Sequence, residues 1–138
     1  RARALRQAGE LVLPLFEAGA YQPVVYPDGS VWHPGAREVV VDIRSEHPRP
    51  VTADVAFQAA AVAEEGAIRF ELNGAGSGKN PLNIWPTGYA MKAVTLLPGS
   101  NRLTIHSESA FAPVTEIPGS TEVQAAVMVS DVQVETRP

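Results

Sequence analysis

Residues that could do chemistry are scattered thinly along this chain, and each group has to be weighed by what its spacing permits. The run Asn73-Gly74-Ala75-Gly76-Ser77-Gly78-Lys79-Asn80 looks at first like a phosphate cradle. A nucleotide-binding loop of that kind needs a glycine five residues before the Gly-Lys pair. It also needs Ser or Thr after the lysine to hold magnesium, and then a helix whose N-terminus faces the phosphates. Here those positions hold Asn73 and Asn80, and Pro81 follows, so the segment reads as a hairpin loop.

His33, His47 and His106 fall in different elements, with no spacing that would put two on one face of a single helix or strand. His106-Ser107-Glu108 invites a catalytic triad, but neighbours on a strand point to opposite faces and cannot relay a proton. No Gly-x-Ser-x-Gly elbow is present. Asp42, Asp54, Glu71 and Asp131 read as outward members of alternating strands, and Glu64-Glu65 as a turn. A glycosidase would need two carboxyls converging on one bond about 5 to 9.5 Å apart, and nothing in the sequence pairs these. No catalytic residue is assigned.

The aromatics offer a different chemistry. Trp32, Trp85 and Tyr89, with Tyr21 and Tyr26, fall in loops or at strand starts, whereas Phe57 and Phe70 sit inside strands. A sugar presents a flat C–H face and a rim of hydroxyls, so a ring flanked by Asn or Asp is the physical minimum for holding one. Asn80-Pro81-Leu82-Asn83-Ile84-Trp85-Pro86-Thr87-Gly88-Tyr89 supplies that mixture. Trp32, Trp85, Tyr89, Asn83 and Tyr21 are therefore the candidate ligand platform. The competing reading is that both tryptophans cap the ends of a sandwich core.

The elements that must position these residues are strands. Val51 to Val62 alternates, with Ala53, Val55, Phe57, Ala59 and Ala61 on one face and Thr52, Asp54 and Gln58 on the other. Period two buries one face of a sheet and wets the other. Further strands are expected at Arg37 to Arg44, Ala67 to Asn73, Tyr89 to Leu97, Arg102 to Ser107 and Glu122 to Glu135. Leu11 to Phe16 contains Pro14, which points to an edge strand. In the last strand the apolar parity switches between Val129 and Val132, the mark of a β-bulge near Ser130-Asp131. Gly19 to Gly35 is rich in turn formers and is read as a loop carrying Tyr21, Tyr26 and Trp32. Such spacing predicts an antiparallel β-sandwich of jelly-roll type, with a barrel as the alternative. Arg1 to Gly9 reads as the end of a helix or a linker, and residues 11 to 138 as one domain.

Composition agrees with a single globular unit. The chain has 138 residues, 45% hydrophobic and 19% charged, enough to bury a core without crosslinks. Eleven Lys and Arg against fifteen Asp and Glu give a charge of -4, which does not suit nucleic acid. With no cysteine there is no thiol chemistry, disulfide or thiolate metal site. Beginning at Arg1, the chain reads as a piece of a longer protein.

Two groups of residues carry a resemblance. Phe70-Glu71-Leu72-Asn73-Gly74, followed by Leu97-Pro98-Gly99-Ser100-Asn101-Arg102-Leu103-Thr104-Ile105, resembles the galactose-binding-like jelly rolls that accompany carbohydrate-active enzymes. Gly19-Ala20-Tyr21, followed by Asp28-Gly29-Ser30-Val31-Trp32, resembles the opening of β-sandwich domains appended to polytopic bacterial membrane glycosyltransferases that use polyprenyl-phosphate sugars. Pro23-Val24-Val25 and Val31 depart from that pattern, where an acidic residue and an arginine are common. The resemblance implies a non-catalytic accessory domain on the extracytoplasmic face of a bacterial membrane, partnered by the parent's membrane portion and by carbohydrate or lipid-linked glycan. The alternatives are a carbohydrate-binding module of a secreted hydrolase, and a structural or adhesion domain with no small ligand. No cofactor is expected. Jelly rolls sometimes hold structural calcium, and Asp28-Gly29-Ser30 could contribute, but one carboxylate is far short of six oxygens.

Overall fold

A computed structural model of the chain describes residues 12 to 114 and 124 to 137. The expected helix end at Arg1 to Gly9 and the start of the last strand at Glu122 lie outside the described residues. Thirteen strands follow one another, and no helix occurs among the described residues. They are β1 Val12–Ala20, β2 Val24–Val25, β3 Val31–Ser45, β4 Val51–Ala61, β5 Gly66–Leu72, β6 Ala75–Gly76, β7 Asn80–Leu82, β8 Thr87–Leu96, β9 Gly99–Glu108, β10 Ala112–Pro113, β11 Gln124–Ala125, β12 Val127–Ser130 and β13 Gln133–Thr136.

The fold is an all-β jelly roll with antiparallel pairing. Strand β3 is its spine. Residues 38 to 45 pair with β9, which pairs onward with β5, giving the front layer. Residues 32 to 35 pair instead with β12, which pairs onward with β4 and, beyond it, β8, giving the back layer. Strands β1 and β2 line the other side of β3 in turn. One long strand thus crosses from layer to layer, and the sheet curls over its own apolar face.

That crossing corrects the sequence reading of Gly19 to Gly35 as a loop. Strand β1 runs on to Ala20, and Trp32, Pro34 and Gly35 belong to β3. Pro27-Asp28-Gly29 does form the expected turn, with the Gly29 N–H donating to the Tyr26 carbonyl at 2.9 Å, whereas Gly19 and Gly35 are there for close approach. A Cβ on Gly19, whose φ is +76°, would lie 1.8 Å from the Glu38 carbonyl oxygen, and one on Gly35 would meet the Val39 side chain at 2.6 Å. Gly19 sits where the β1–β3 register slips, so it makes the bulge that turns β1 aside. Pro14 lies on β1 as expected of an edge strand, since among the described residues β1 pairs only with β3.

Alternation fills the space between the layers. Val39, Val41, Ile43, Leu103, Ile105, Ile68 and Phe70 from the front face Ala53, Val55, Phe57, Ala59, Val127 and Val129 from the back. Phe57 and Phe70 meet edge to face across the core at 5.2 Å between ring centroids. The small alanines of β4 let the layers approach.

The expected last strand is broken into β11, β12 and β13, with the parity switch where the sequence put it. From Val129 to Gln133 is four steps, against three from Ala59 to Ala56 on β4, so one extra residue is accommodated. The Ser130 hydroxyl fills the gap by accepting the Gln58 N–H at 2.7 Å.

The motif around Asn73 and Asn101 is a clamp. Asn73, at φ +51°, and Gly74, at +88°, supply the left-handed corners of a tight hairpin. The Asn73 side chain accepts the Arg102 N–H at 2.9 Å and donates to Asn101 Oδ1 at 2.9 Å. Buried Asn101 donates to the carbonyls of Ile43 and Leu97 and accepts the Leu97 N–H at 2.8 Å. Two turns and β3 are thereby tied together.

Candidate functional site

The outer face of the back layer is where polar and aromatic groups collect over a floor of small residues. On β4, Ala56, Gln58 and Ala60 point away from the core, because Val55, Phe57 and Ala59 point into it. Across from them stand Ala90 and Gly88 on β8, and Gln133, Ser130 and Met128 on β13 and β12. Trp32 on β3 is paired with Ser130 and shares their face, so the indole walls a trough floored by residues with almost no side chain. One stretch of about 590 Å³ lies over Ala56, Gln58 and Ala90, and a neighbouring stretch of about 580 Å³ continues past Trp32 toward Ile84, Pro86 and Val114. Trp32, Gln58 and Ser30 border both stretches.

The loops at the rim are held locally. Asp28 Oδ1 accepts both the N–H and the hydroxyl of Ser30, at 2.9 and 2.6 Å, and these bonds hold its carboxyl below the usual aspartate range. The Asn83 carbonyl accepts the Ala61 N–H at 2.7 Å, and its amide donates to the Thr87 hydroxyl at 3.1 Å. That anchored loop lifts Ile84 and Trp85 into solvent, 51% and 56% exposed.

Of the five sequence-derived candidates, Trp32 lines both stretches of this trough, while the loop that carries Asn83 and Trp85 reaches its edge through Ile84 and Pro86. Tyr89 lines the first stretch, but its ring is turned toward the core. It is packed between Phe57 and Phe70 with centroids at 5.6 and 5.8 Å, its hydroxyl donates to the Pro81 carbonyl at 2.6 Å, and burial pushes its phenol up. Trp32 is largely buried, at 9% exposure, but it stands on the outer face and is not part of the core cluster. Tyr21 lies in a different groove of about 570 Å³ beside β1, with Phe16 and His33. Gln58 and the small residues around it were not singled out in the sequence as ligand contacts. The available signal was a polar side chain on the wet parity of an alanine-rich strand.

The titratable groups resolve into pairs. His33 Nε2 lies 2.9 Å from Asp131 Oδ1 with its ring stacked on Phe16 at 3.7 Å, a partnership that the sequence, with 98 residues between them, does not show. His106 lies between Glu38 and Glu71 at 3.4 and 3.6 Å on the outer face of the front layer. Ser107 points inward and Glu108 pairs with Lys79, so His106-Ser107-Glu108 diverges as strand geometry requires. Asp42 pairs with Arg44 and Asp54 with Arg137. Among the described residues, no three His, Asp or Glu side chains are grouped to hold a metal ion. The glycine loop folds back on β5, with the Ser77 N–H donating to the Phe70 carbonyl at 2.9 Å.

No family model matches this chain, and no curated protein does. Solved structures do. A Podospora anserina GH26-CBM35 β-(1,4)-mannanase aligns with a TM-score of 0.53 at 15% identity, over 91% of this chain and 28% of that one, so this chain corresponds to little more than a quarter of that enzyme. The C-terminal CBM6 of LamC, a marine laminarinase from Zobellia galactanivorans, aligns at 0.49 and 8% identity over 90% and 98% of the two chains. A carbohydrate-binding module, CBM36, in complex with calcium and xylotriose, aligns at 0.45 and 12% identity over 91% and 99%. The likeness to the mannanase structure is one of fold, and it agrees with the galactose-binding-like jelly roll that the two sequence motifs resemble.

Proposed function

We propose that this domain is a carbohydrate-binding module and that the trough on the outer face of the back layer holds the glycan. The observation that carries the reading is that trough: Ala56, Ala60, Gly88 and Ala90 leave room for a chain to lie against the sheet, beside the Trp32 indole and the amide of Gln58. Apolar floor and a few fixed polar groups are what a sugar's two kinds of surface require. The mannanase with a similar fold carries a CBM35, which favours a module of a glycan-degrading enzyme over the accessory domain of a membrane glycosyltransferase.

The transferase attachment, with its extracytoplasmic location, rests on the resemblance carried by Gly19-Ala20-Tyr21 and Asp28-Gly29-Ser30-Val31-Trp32. The gene sequence upstream of Arg1 separates the two parents: a series of apolar spans supports the transferase, and a hydrolase domain supports the module. For binding itself, the test is a glycan array probed with the wild type and with Ala56→Trp, which fills the trough from a half-exposed position on β4. Capture of at least one glycan by the wild type and its loss in A56W, with unchanged circular dichroism, is the expected result. If the wild type captures none, the domain is a scaffold or adhesion unit.

A further inference from the structure

We infer that the trough selects uncharged glycans and rejects those built from uronic acids. This rests on the carbohydrate reading of the same trough. The observation is the charge of its lining. Two carboxylates border it, Asp28 at one end and Asp131 at the other, and among the described residues none that lines it is lysine, arginine or histidine. The side chains between them are Gln58, Ser30, Ser130 and Gln133, which serve hydroxyls as donors and acceptors and offer an anion no counter-charge.

Both carboxylates belong to the lining that a ligand would pass. The two Ser30 bonds favour the ionised form of Asp28, and Asp131 lies between the trough and the neighbouring groove, where His33 meets its Oδ1 at 2.9 Å. Recognition of a carboxylated sugar calls for an arginine fork or a lysine. Here every uronate that approached Asp28 or Asp131 would meet a like charge. At about 4 Å in water that repulsion corresponds to roughly fivefold in affinity per close pair, and salt weakens it.

The experiment measures binding by titration calorimetry of neutral hexaoses (β-1,4-mannan, β-1,4-xylan, β-1,3-glucan) and of oligogalacturonate and oligomannuronate of equal length, at about 10 mM and about 200 mM salt. The expected result is binding of at least one neutral oligomer and at least a roughly fivefold deficit for the uronates at low salt, narrowing as salt is raised. Whole-molecule charge is separated from trough charge by two double variants of equal net change. Asp28→Asn with Asp131→Asn should narrow the deficit, while Glu38→Gln with Glu71→Gln, on the outer face of the front layer, should leave it in place. Uronates binding as tightly as neutral oligomers, or a deficit that responds equally to both double variants, overturns the selectivity while leaving sugar binding intact. Binding of neither class overturns the carbohydrate reading, and the selectivity with it.

Discussion

Replacing Asn101 with alanine should cost about 3 kcal/mol, although the residue lies in no groove. Its side chain is 1% exposed and spends every polar atom on the protein. The amide donates to the carbonyls of Ile43 at 3.1 Å and Leu97 at 2.9 Å, with Gly99 at 3.3 Å as a third acceptor, while Oδ1 accepts from Leu97 N–H and Asn73 Nδ2. The Ile43 carbonyl is deep in the sheet, and stranding it costs about 1 to 3 kcal/mol. The turn groups of Leu97 and Gly99 lie nearer solvent, where water substitutes, so about 0.5 to 1 kcal/mol each is appropriate. At about 2.1 cal/mol/K per residue, a domain of this length unfolds with an entropy near 0.3 kcal/mol/K, so the midpoint should fall by about 10 °C. Differential scanning calorimetry reads this directly. Asn101→Asp should be at least as damaging, because a carboxylate would face three carbonyl oxygens. Asn73→Ala should cost less in the N101A background than alone, because its partner is gone. An N101A midpoint within about 2 °C of wild type would refute the clamp.

Gly19→Ala should destabilise by about 3 kcal/mol or more in denaturant titration, because a positive φ and a Cβ facing the Glu38 carbonyl act together; a change under about 1 kcal/mol would show that β1 has an easy alternative path. Asp54 is held below the usual aspartate range by the Ala93 N–H first and Arg137 next, so its contribution is present above the unfolded pKa near 3.8 and is lost as pH falls through the lower folded value. Asp54→Asn should therefore flatten the acid limb of the stability curve between about pH 4 and pH 2, and an unchanged limb would count against that linkage. Trp85→Ala, at an exposed loop tip, should shift stability by no more than about 0.5 kcal/mol and weaken glycan binding by about tenfold in calorimetry if the ring meets the sugar. Equal affinity would confine the ligand to the floor and to Trp32.

Much of the fold could be read along the chain because its information is local. Val51 to Val62 alternates strictly, and β4 buries the expected parity. The parity break after Val129 announced the bulge. The two asparagine motifs announced a hairpin pair, though not that their side chains join. What local pattern hid was the crossing of β3. Pro34 and Gly35 carry the composition of a turn, yet here they sit inside a strand that changes layers, with Gly35 empty to admit Val39. Trp32 was consequently read on a loop. Tyr89 near the start of β8 could face either way, and its hydroxyl finds a carbonyl partner that lets the ring go inward. The trough was the least legible feature, since it exists only when β8, β4, β13, β12 and β3 stand side by side. No window of sequence contains Gln58, Gly88, Ser130 and Trp32 together.

Amide chemical-shift mapping by NMR during titration with a neutral oligosaccharide drawn from the array tests the location of binding most directly. Shifts clustered on Trp32, Ala56, Gln58, Gly88, Ala90 and Ser130, with the indole N–H of Trp32 among them, are the predicted result. Shifts confined to the groove beside Phe16 and Tyr21, or to the front face around His106, would contradict it.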